Sequence, residues 1–545
     1  MQGPKRLDFT PEQVELLLDR INSKQLAEDD FPLLADLLKA IIWMEGALKE
    51  KELSIVRLRS IFGIKTESAK KLFELAQGQA NATGSSTQNN SKEESSEPAQ
   101  NNQKSEEPEK KGKSKGHGHR SASEYQEAKT IKIAHECLKR GDRCPKCGKG
   151  RLFNLSPGTV LRIVGQPWLD VHIYKPERLR CPNCQQIFTA KLPEEVATQG
   201  RTDATAKAIV SLLKYRGGVP FNRQEKIQGI LGKPLSASEI WEMTEDVADC
   251  GQPVFSALCT LAANAECIHN DDTTSKILSV MKENEQENPE RTGVFTTALL
   301  AKTEDKQIAL FFTGRQHAGE NLNDVLDKRD PDLGPPIQSC DALSRNIPKD
   351  HKTNIGNCNA HARREFYEIA SKWPKEILQI VSWFDIVFAN DARALKDGMD
   401  AETRLKWHQE MSKPIMDGMK VHCEALIDKK QVEPNSSFGK AIAYLNNHWE
   451  GLTLFLRMPG VPLSNNDNER LIKNVVRNRK NAYFFKTEAG ARIADVLMSL
   501  IETCCLNKVS PWDYLLAIQL HAAEVFKSPI NWLPWNYRQA ASDTS

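Results

Sequence analysis

The chain has 545 residues, with 74 Lys and Arg against 72 Asp and Glu, so its formal net charge is only +2. That balance excludes a polybasic protein, and any grip on nucleic acid has to come from local basic patches. At roughly 150 residues per domain the length implies three or four domains, and no apolar run approaches the ~20 residues of a membrane span.

The opening MQGPKRLDFTPEQ lacks the apolar stretch of a secretory signal, and 13 scattered cysteines, an odd number, point to a reducing compartment. From Leu34, the apolar residues Leu37, Ile41, Met44, Leu48, Ile55, Leu58 and Phe62 keep helical spacing, interrupted at Lys51. A bundle helix fits this pattern, as does a short coiled coil pairing protomers, which we favour. From Gln77 to Glu124 there is no Leu, Ile, Val, Met, Phe, Trp or Tyr. Such a segment buries too little apolar area to offset its ordering entropy, so a disordered polar linker is expected.

Two Cys-x-x-Cys knuckles follow, Cys144 with Cys147 and Cys181 with Cys184. Tetrahedral Zn²⁺ needs four soft ligands, and each knuckle places two thiolates on one side of the ion. One structural zinc is expected, with TVLRIVG and LDVHIYKPERLR as strand-like runs for a ribbon hairpin. Beyond Thr205, two helices joined by a Gly-Gly-Val-Pro turn and a third opened by Ser236 or Ser238 suit a helix-turn-helix-like unit. A helical spacer fits the same periodicity.

Residues 263–365 change to strand-like runs at Cys267–His269, Gly293–Leu300, Gln307–Phe312 and Pro336–Cys340. From Ala362 to about Leu456 the pattern is helical without a strand candidate, and the remainder is helical and rich in aromatics. Asp271 and Asp272 are placed at the end of the first strand, and Asp341 directly follows the last. Glu469 sits in NNDNERLIKNVVRNRKNAYFF, where Asn465, Asn466 or Asp467 is available to cap a helix. Lys473 and Arg477 then lie one and two turns past Glu469, a cationic stripe. Carboxylates on a strand, at a strand end and on a helix are the RNase H-like way to hold two divalent ions for phosphoryl transfer. Each has a plainer reading as well: the aspartates as helix caps, and Glu469 with Lys473 as a surface pair worth ~0.2–0.5 kcal/mol.

Several segments together carry a resemblance that runs nearly end to end. They are SIFGIKTESAKKL, the polar linker, the two knuckles, KYRGGVPFNRQEKI with LSASEIWEM, HNDDTTSKIL, IQSCDALSRN, CNAHARREF, NNDNERLIKNVVRNRKNAYFF, SLIETCCLNKVSPWDYLLA and LPWNY. The chain resembles bacterial transposases of the IS66 family, DDE-type enzymes. Where that family has Asp-Glu-Thr this chain has Asp271-Asp272-Thr273, and Ala342-Leu343 replace a Gly and an aromatic after Asp341.

The resemblance implies that Asp271, Asp341 and Glu469 are the catalytic triad, binding two Mg²⁺ (or Mn²⁺) ions, with Asp272 beside them. It puts His361, Arg363 and Arg364 just after a fifth strand, facing substrate phosphate or, for His361, buried. Arg470, Lys473, Arg477, Arg479, Lys480 and Arg223 are further expected DNA contacts. Implied partners are double-stranded DNA (terminal repeats and target), a second protomer or more, and accessory proteins of the same element. The implied location is the bacterial cytoplasm, at the nucleoid. A silent transposase acting as a DNA-binding protein and a metal-dependent nuclease without strand transfer are the rival readings.

The expected fold is therefore multidomain α+β. It comprises an N-terminal helical or coiled-coil region (1–76), the linker (77–130), a four-cysteine zinc ribbon (131–195) and a helical DNA-binding region (196–262). An RNase H-like core (263–365 and 456–505) follows, divided by a helical insertion (366–455) and ending in a helical tail (506–545).

Overall fold

Strand-forming residues between Cys267 and Asn357 build one five-stranded sheet in the computed structural model. The structure describes residues 137–147, 149–153, 168–180, 187–193, 200–287, 289–303 and 305–544, with Arg20 and Val196 besides. The expected coiled coil, the polar linker and the second Cys knuckle lie outside the described residues. Two compact units emerge, one containing Arg201–Phe221 and Ile240–Ser545, the other Ser86–Gly200 with Asn222–Glu239.

Within the smaller unit, the first knuckle is a tight hairpin in which the Cys144 N–H donates to the Gly150 carbonyl (2.8 Å) and Arg143 bridges Arg151. Strand β1 (Arg178–Arg180) pairs antiparallel with β2 (Ile187–Thr189), so this hairpin flanks the second knuckle. Of the two runs expected to form the ribbon hairpin, the LDVHIYK half of one is irregular, and TVLRIVG lies outside the described residues. Pro176 lacks an N–H, and the Val171 N–H already donates to Asp170 Oδ1 (2.9 Å), so this stretch has less to offer a ladder.

Helices α1 (Ala204–Tyr215), α2 (Phe221–Ile230) and α3 (Ala237–Ala263) are the three expected from sequence. Asp203 caps α1 by accepting from the Ala206 N–H (2.8 Å), and Gly218, at φ +72°, helps turn the chain after it. Of the two candidate serines, Ser236 opens α3. Its Oγ accepts from the Glu239 N–H (3.2 Å), while Glu239 Oε2 accepts from the Ser236 N–H (2.9 Å), a reciprocal capping box.

The sheet is ordered β5-β4-β3-β6-β7, from β3 (Cys267–Thr274), β4 (Phe295–Lys302), β5 (Gln307–Gly314), β6 (Ile337–Cys340) and β7 (Asn354–Asn357). Strands β3, β4 and β5 form an antiparallel meander, with α4 (Leu278–Glu287) between the first two. β6 and β7 run parallel to β3, which requires crossovers, and α5 (Ala318–Leu326) lies on the first of them. β6 pairs only with Cys267–His269, leaving the rest of β3 unpaired on that side.

After β7 come α6 (Asn359–Tyr367), α7 (Pro374–Lys396), α8 (Ala401–Met411), α9 (Lys413–Asp428) and α10 (Ser437–Asn447), all helix as the pattern between Ala362 and Leu456 predicts. They close around Phe366, Phe384 and Phe438, whose rings lie 6.3 and 6.4 Å from one another through Phe366. The chain returns to the sheet with α11 (Asn466–Ala482), α12 (Glu488–Leu506) and α13 (Pro511–Leu520). The main core joins Ile268, Leu299, Leu300 and Phe311 of the sheet to Val247 and Leu258 of α3, Leu471 of α11 and Leu497 of α12.

Strand β5 is an edge, and its outward N–H groups are taken up by α12. Gln307, Ala309, Phe311 and Thr313 donate to Asn507 Oδ1 (3.2 Å), Thr503 Oγ1 (3.0 Å), Ser499 Oγ (2.9 Å) and Asp495 Oδ2 (2.7 Å). Buried backbone donors are thereby satisfied without a further strand. The fold is mixed α/β, and no helix among the described residues is long and apolar enough to cross a membrane.

Candidate metal-binding carboxylate centre

β3 does not stop at its aspartates, which the sequence reading places at the strand's end. It continues through them, pairing Asp271 with Ala298 and Asp272 with Thr297, because β4 offers a ladder beyond the point where β6 stops. Successive strand residues face opposite sides, so the two carboxylates serve different ends. The Asp272 side chain is 1% exposed and lies against the start of α5. There its Oδ2 is 2.9 Å from His317 Nδ1 and accepts from the Ala318 N–H (3.3 Å), a favourable place for an anion at a helix N-terminus. Arg345, 44% exposed, reaches its Oδ1 at 3.3 Å.

Asp341 follows the last residue of β6 and is held by a buried amide network. Asn346 donates from Nδ2 to Asp341 Oδ1, while its carbonyl accepts from Asn270 Nδ2 (2.7 Å) and Gln338 Nε2 (2.7 Å). Gln338 Nε2 also reaches Asn270 Oδ1 (2.9 Å), tying β6 to β3 directly beneath the centre.

Glu469 stands in the first turn of α11, and the asparagines around it explain the NNDNER run. Asn465 is the residue before the helix, but its side chain makes no capping bond, unlike the expected cap. Its amide is drawn instead into the sheet. Nδ2 donates to the Asn270 carbonyl (3.1 Å), and Oδ1 lies 3.1 Å from His269 Nδ1. Asn468 donates to the Ala298 carbonyl (3.1 Å), and Asp467 pairs with Lys302 (2.6 Å). The helix start is pinned to β3 and β4 on either side of the strand pair that carries Asp271.

The result is mutual electrostatic pressure among three carboxylates from three elements. Asp271 is pushed up to about 7, by burial first, then by the neighbouring Asp341, with Asp272 and Glu469 adding to it. Burial also raises Asp341, partly offset by His361, the Leu343 N–H, Arg345 and Asn346. Glu469 Oε1 is buried without a hydrogen-bond partner. Carboxylates that oppose each other's ionisation are relieved by a divalent cation, and an all-oxygen set fits Mg²⁺ or Mn²⁺.

His361, in the first turn of α6, joins this centre with Nδ1 3.8 Å from Glu469 Oε1. Cys358, the residue preceding that helix, is buried, and burial pushes its thiol up to about 11. Its Sγ accepts from the Asn465 N–H (3.2 Å). Cys358, His361 and Glu469 each bring a ligand atom within 4.8 Å of the others.

The other expected site residues divide by environment. On α11, Lys473 and Lys480 are exposed, and Arg470 pairs with Asp467 (2.9 Å). Arg477 donates to the Arg216 carbonyl (2.5 Å), and Arg479 binds Thr273 Oγ1 (3.0 Å) and Thr274 Oγ1 (2.8 Å) at the end of β3. Arg363 donates to Asp385 (3.1 Å) and lies over the Phe388 ring, and Arg364 is half-buried on the same helix. Arg223 is exposed on α2. In the first knuckle the Cys147 thiol is held below its usual value by the Gly150 and Lys149 N–H groups and then by Cys144, as suits a metal thiolate. Cys181 and Cys184 lie outside the described residues.

Sequence reasoning missed Asn270, Gln338, Asn346, Asn468, Arg345 and Cys358. The available signal was the unusual density of amides next to each carboxylate, since buried polar groups in a sheet need partners.

The model of the family described as "Transposase IS66 family" matches residues 199–493, more than half of the chain. Two proteins of Sinorhizobium fredii (strain NBRC 101917 / NGR234) are similar over most of their length. "Uncharacterized protein y4hP" is 26% identical over 432 residues, 74% of this chain and 74% of that protein. "Uncharacterized protein y4jD" is 24% identical over 385 residues, 66% of this chain and 71% of that one.

Proposed function

The chain belongs to the IS66 transposase family, and we propose that it cuts DNA at the ends of an insertion sequence and joins the freed 3′-hydroxyls to target DNA. The observation carrying this reading is the convergence of Asp271, Asp341 and Glu469, with Asp271 raised to about 7 by burial and its neighbours. A sheet ordered β5-β4-β3-β6-β7, antiparallel on one side of β3 and parallel on the other, supports an RNase H-like core with its helical insertion after β7.

Asp271, Asp341 and Glu469 would hold Mg²⁺ or Mn²⁺, which when bound supplies nucleophile activation and neutralises charge on the transferring phosphate. The chain's own residues do the positioning. Asn465 and Asn468 aim Glu469, Asn346 fixes Asp341, and Arg345, anchored by Asp272, presents a guanidinium beside the centre. Lys473 and Lys480, exposed on α11, extend positive charge along the path of a DNA backbone. In the same reading the four-cysteine zinc module and α1–α3 recognise the element's ends, and the N-terminal helix pairs protomers so that two ends are handled together.

A strand-transfer assay with labelled ends and plasmid target, run in Mg²⁺ or EDTA, tests this. Joined product should need both Mg²⁺ and Glu469. Glu469→Gln joining ends at the wild-type rate would sink the assignment, and cut but unjoined ends from wild type would make the protein a nuclease.

A further inference from the structure

We infer that the chain has a second metal centre beside the carboxylates, taking a borderline-soft divalent cation such as Zn²⁺ through Cys358 Sγ, His361 Nδ1 and Glu469 Oε1. The centre rests on geometry alone. Its consequence for activity, that an ion held there draws Glu469 away from Asp271 and Asp341, rests on the transposase reading above.

Three observations lead to it. One ligand atom from each of the three residues lies within 4.8 Å of the other two, brought together from the start of α6 and from α11. His361 Nδ1 and Glu469 Oε1 face each other at 3.8 Å, too long for a hydrogen bond, and both are buried without a partner. Two such atoms across a gap require a third party, because buried polar atoms are otherwise satisfied. The gap suits an ion: with Zn–N and Zn–O near 2.0–2.2 Å and Zn–S near 2.3 Å, tetrahedral geometry separates N from O by about 3.4 Å and S from N by about 3.6 Å. Movements of a few tenths of an ångström to about an ångström close the set.

The chain's local structure prepares these ligands. Cys358 precedes α6 and His361 lies in its first turn, so the i,i+3 spacing sets both on one helix face. The Asn465 N–H on Cys358 Sγ orients the sulfur, and the same residue's side chain fixes the start of the helix that carries Glu469. A thiolate and an imidazole select against Mg²⁺ and for Zn²⁺, whereas Asp271 and Asp341 offer only hard oxygens. Two adjacent centres of different softness thus share one carboxylate. Zn²⁺ therefore acts as an inhibitor that competes for Glu469 without displacing DNA.

The test uses the full chain stripped of metal and reloaded with Co²⁺, a visible substitute for zinc, together with Cys358→Ser and His361→Ala. The knuckle cysteines are untouched in both variants, so their cobalt signal is a shared background. Wild type should bind one equivalent more than either variant and show added thiolate-to-cobalt absorption, and Asp271→Ala should keep that extra equivalent. In strand transfer at fixed Mg²⁺, each protein normalised to its own zinc-free rate, Cys358→Ser should need at least tenfold more Zn²⁺ for half-inhibition. Equal cobalt stoichiometry in wild type, Cys358→Ser and His361→Ala would overturn the centre whatever the activities. An extra equivalent in a wild type that joins no ends would keep the centre and count against the transposase reading alone.

Discussion

Replacing Asn465 by alanine is the sharpest probe of how the carboxylate centre is assembled. Asn465 is fully buried, and its amide serves two partners, the Asn270 carbonyl and the His269 ring. His269 Nε2 already has no partner, and burial holds this histidine down to about 4, so it stays neutral and gains nothing by charging. Alanine leaves the carbonyl and the ring nitrogen without partners in a site closed to water. At ~1–3 kcal/mol for each of the two orphaned buried groups, the expected loss is about 2–6 kcal/mol of folding stability. Asn466, the next residue, is exposed and supplies the control, since surface changes of this kind stay within about 0.5 kcal/mol. Urea unfolding gives the stability difference, and strand transfer below the transition gives the effect on Glu469. We expect Asn465→Ala to lose stability and, in the fraction still folded, to transfer strands at least tenfold more slowly. Unfolding midpoints that coincide for Asn465→Ala and Asn466→Ala would refute the anchoring argument.

Two further outcomes follow from other parts of the fold. Asp495 is raised to about 7 by burial, though the Thr313 hydroxyl and N–H both donate to it. Its folded pKa exceeds the unfolded value near 3.9, so the native state holds the extra proton and stability falls as pH rises from about 4 to about 7. Asp495→Asn removes that penalty. It should be more stable than the parent at pH 8 by about 1–4 kcal/mol, with a shift of about three units at ~1.4 kcal/mol each as the ceiling, and level with it at pH 4. Denaturant titrations at the two pH values check this, and a parent more stable at pH 8 contradicts it. Arg345, fixed by Asp272 beside Asp341, should make one phosphate contact. Arg345→Ala should then flatten the log–log salt dependence of DNA-end binding by about 0.9, and an unchanged slope would remove the contact.

Much of this was legible in the residues, and the illegible part has a common cause. The three helices after Thr205 and the long helical stretch after Ala362 follow from local spacing, whereas the set Asp271, Asp341 and Glu469 is singled out through the family resemblance. Local spacing could not show that β3 runs through its aspartates, because that depends on β4 extending past the end of β6. Nor could it show that Asn465 abandons its capping position for the sheet, because its partners at positions 269 and 270 lie almost two hundred residues away. Arg363 read as a phosphate contact in a basic run, yet here it faces Asp385 and Phe388 on the next helix. One long-range feature did leave a trace: Asp495, Ser499, Thr503 and Asn507 recur every fourth residue along one face of a largely apolar helix.

That recurrence works as a vernier. Four helical residues advance about 6.0 Å, whereas two strand residues advance about 6.6–6.8 Å. Each rung between α12 and β5 therefore drifts by about 0.7 Å, accumulating about 2 Å over four rungs. The side chains absorb this error, with the compact Ser499 and Thr503 in the middle and the longer Asp495 and Asn507 at the ends. A fifth rung would exceed their reach, so the helix measures the strand and sets its usable length. A single-residue insertion between rungs in either partner would put all the rungs on one side of it out of step with those on the other. With its outward hydrogen bonds occupied, this edge is also closed to a neighbouring copy, and any assembly of protomers must be built from other surfaces.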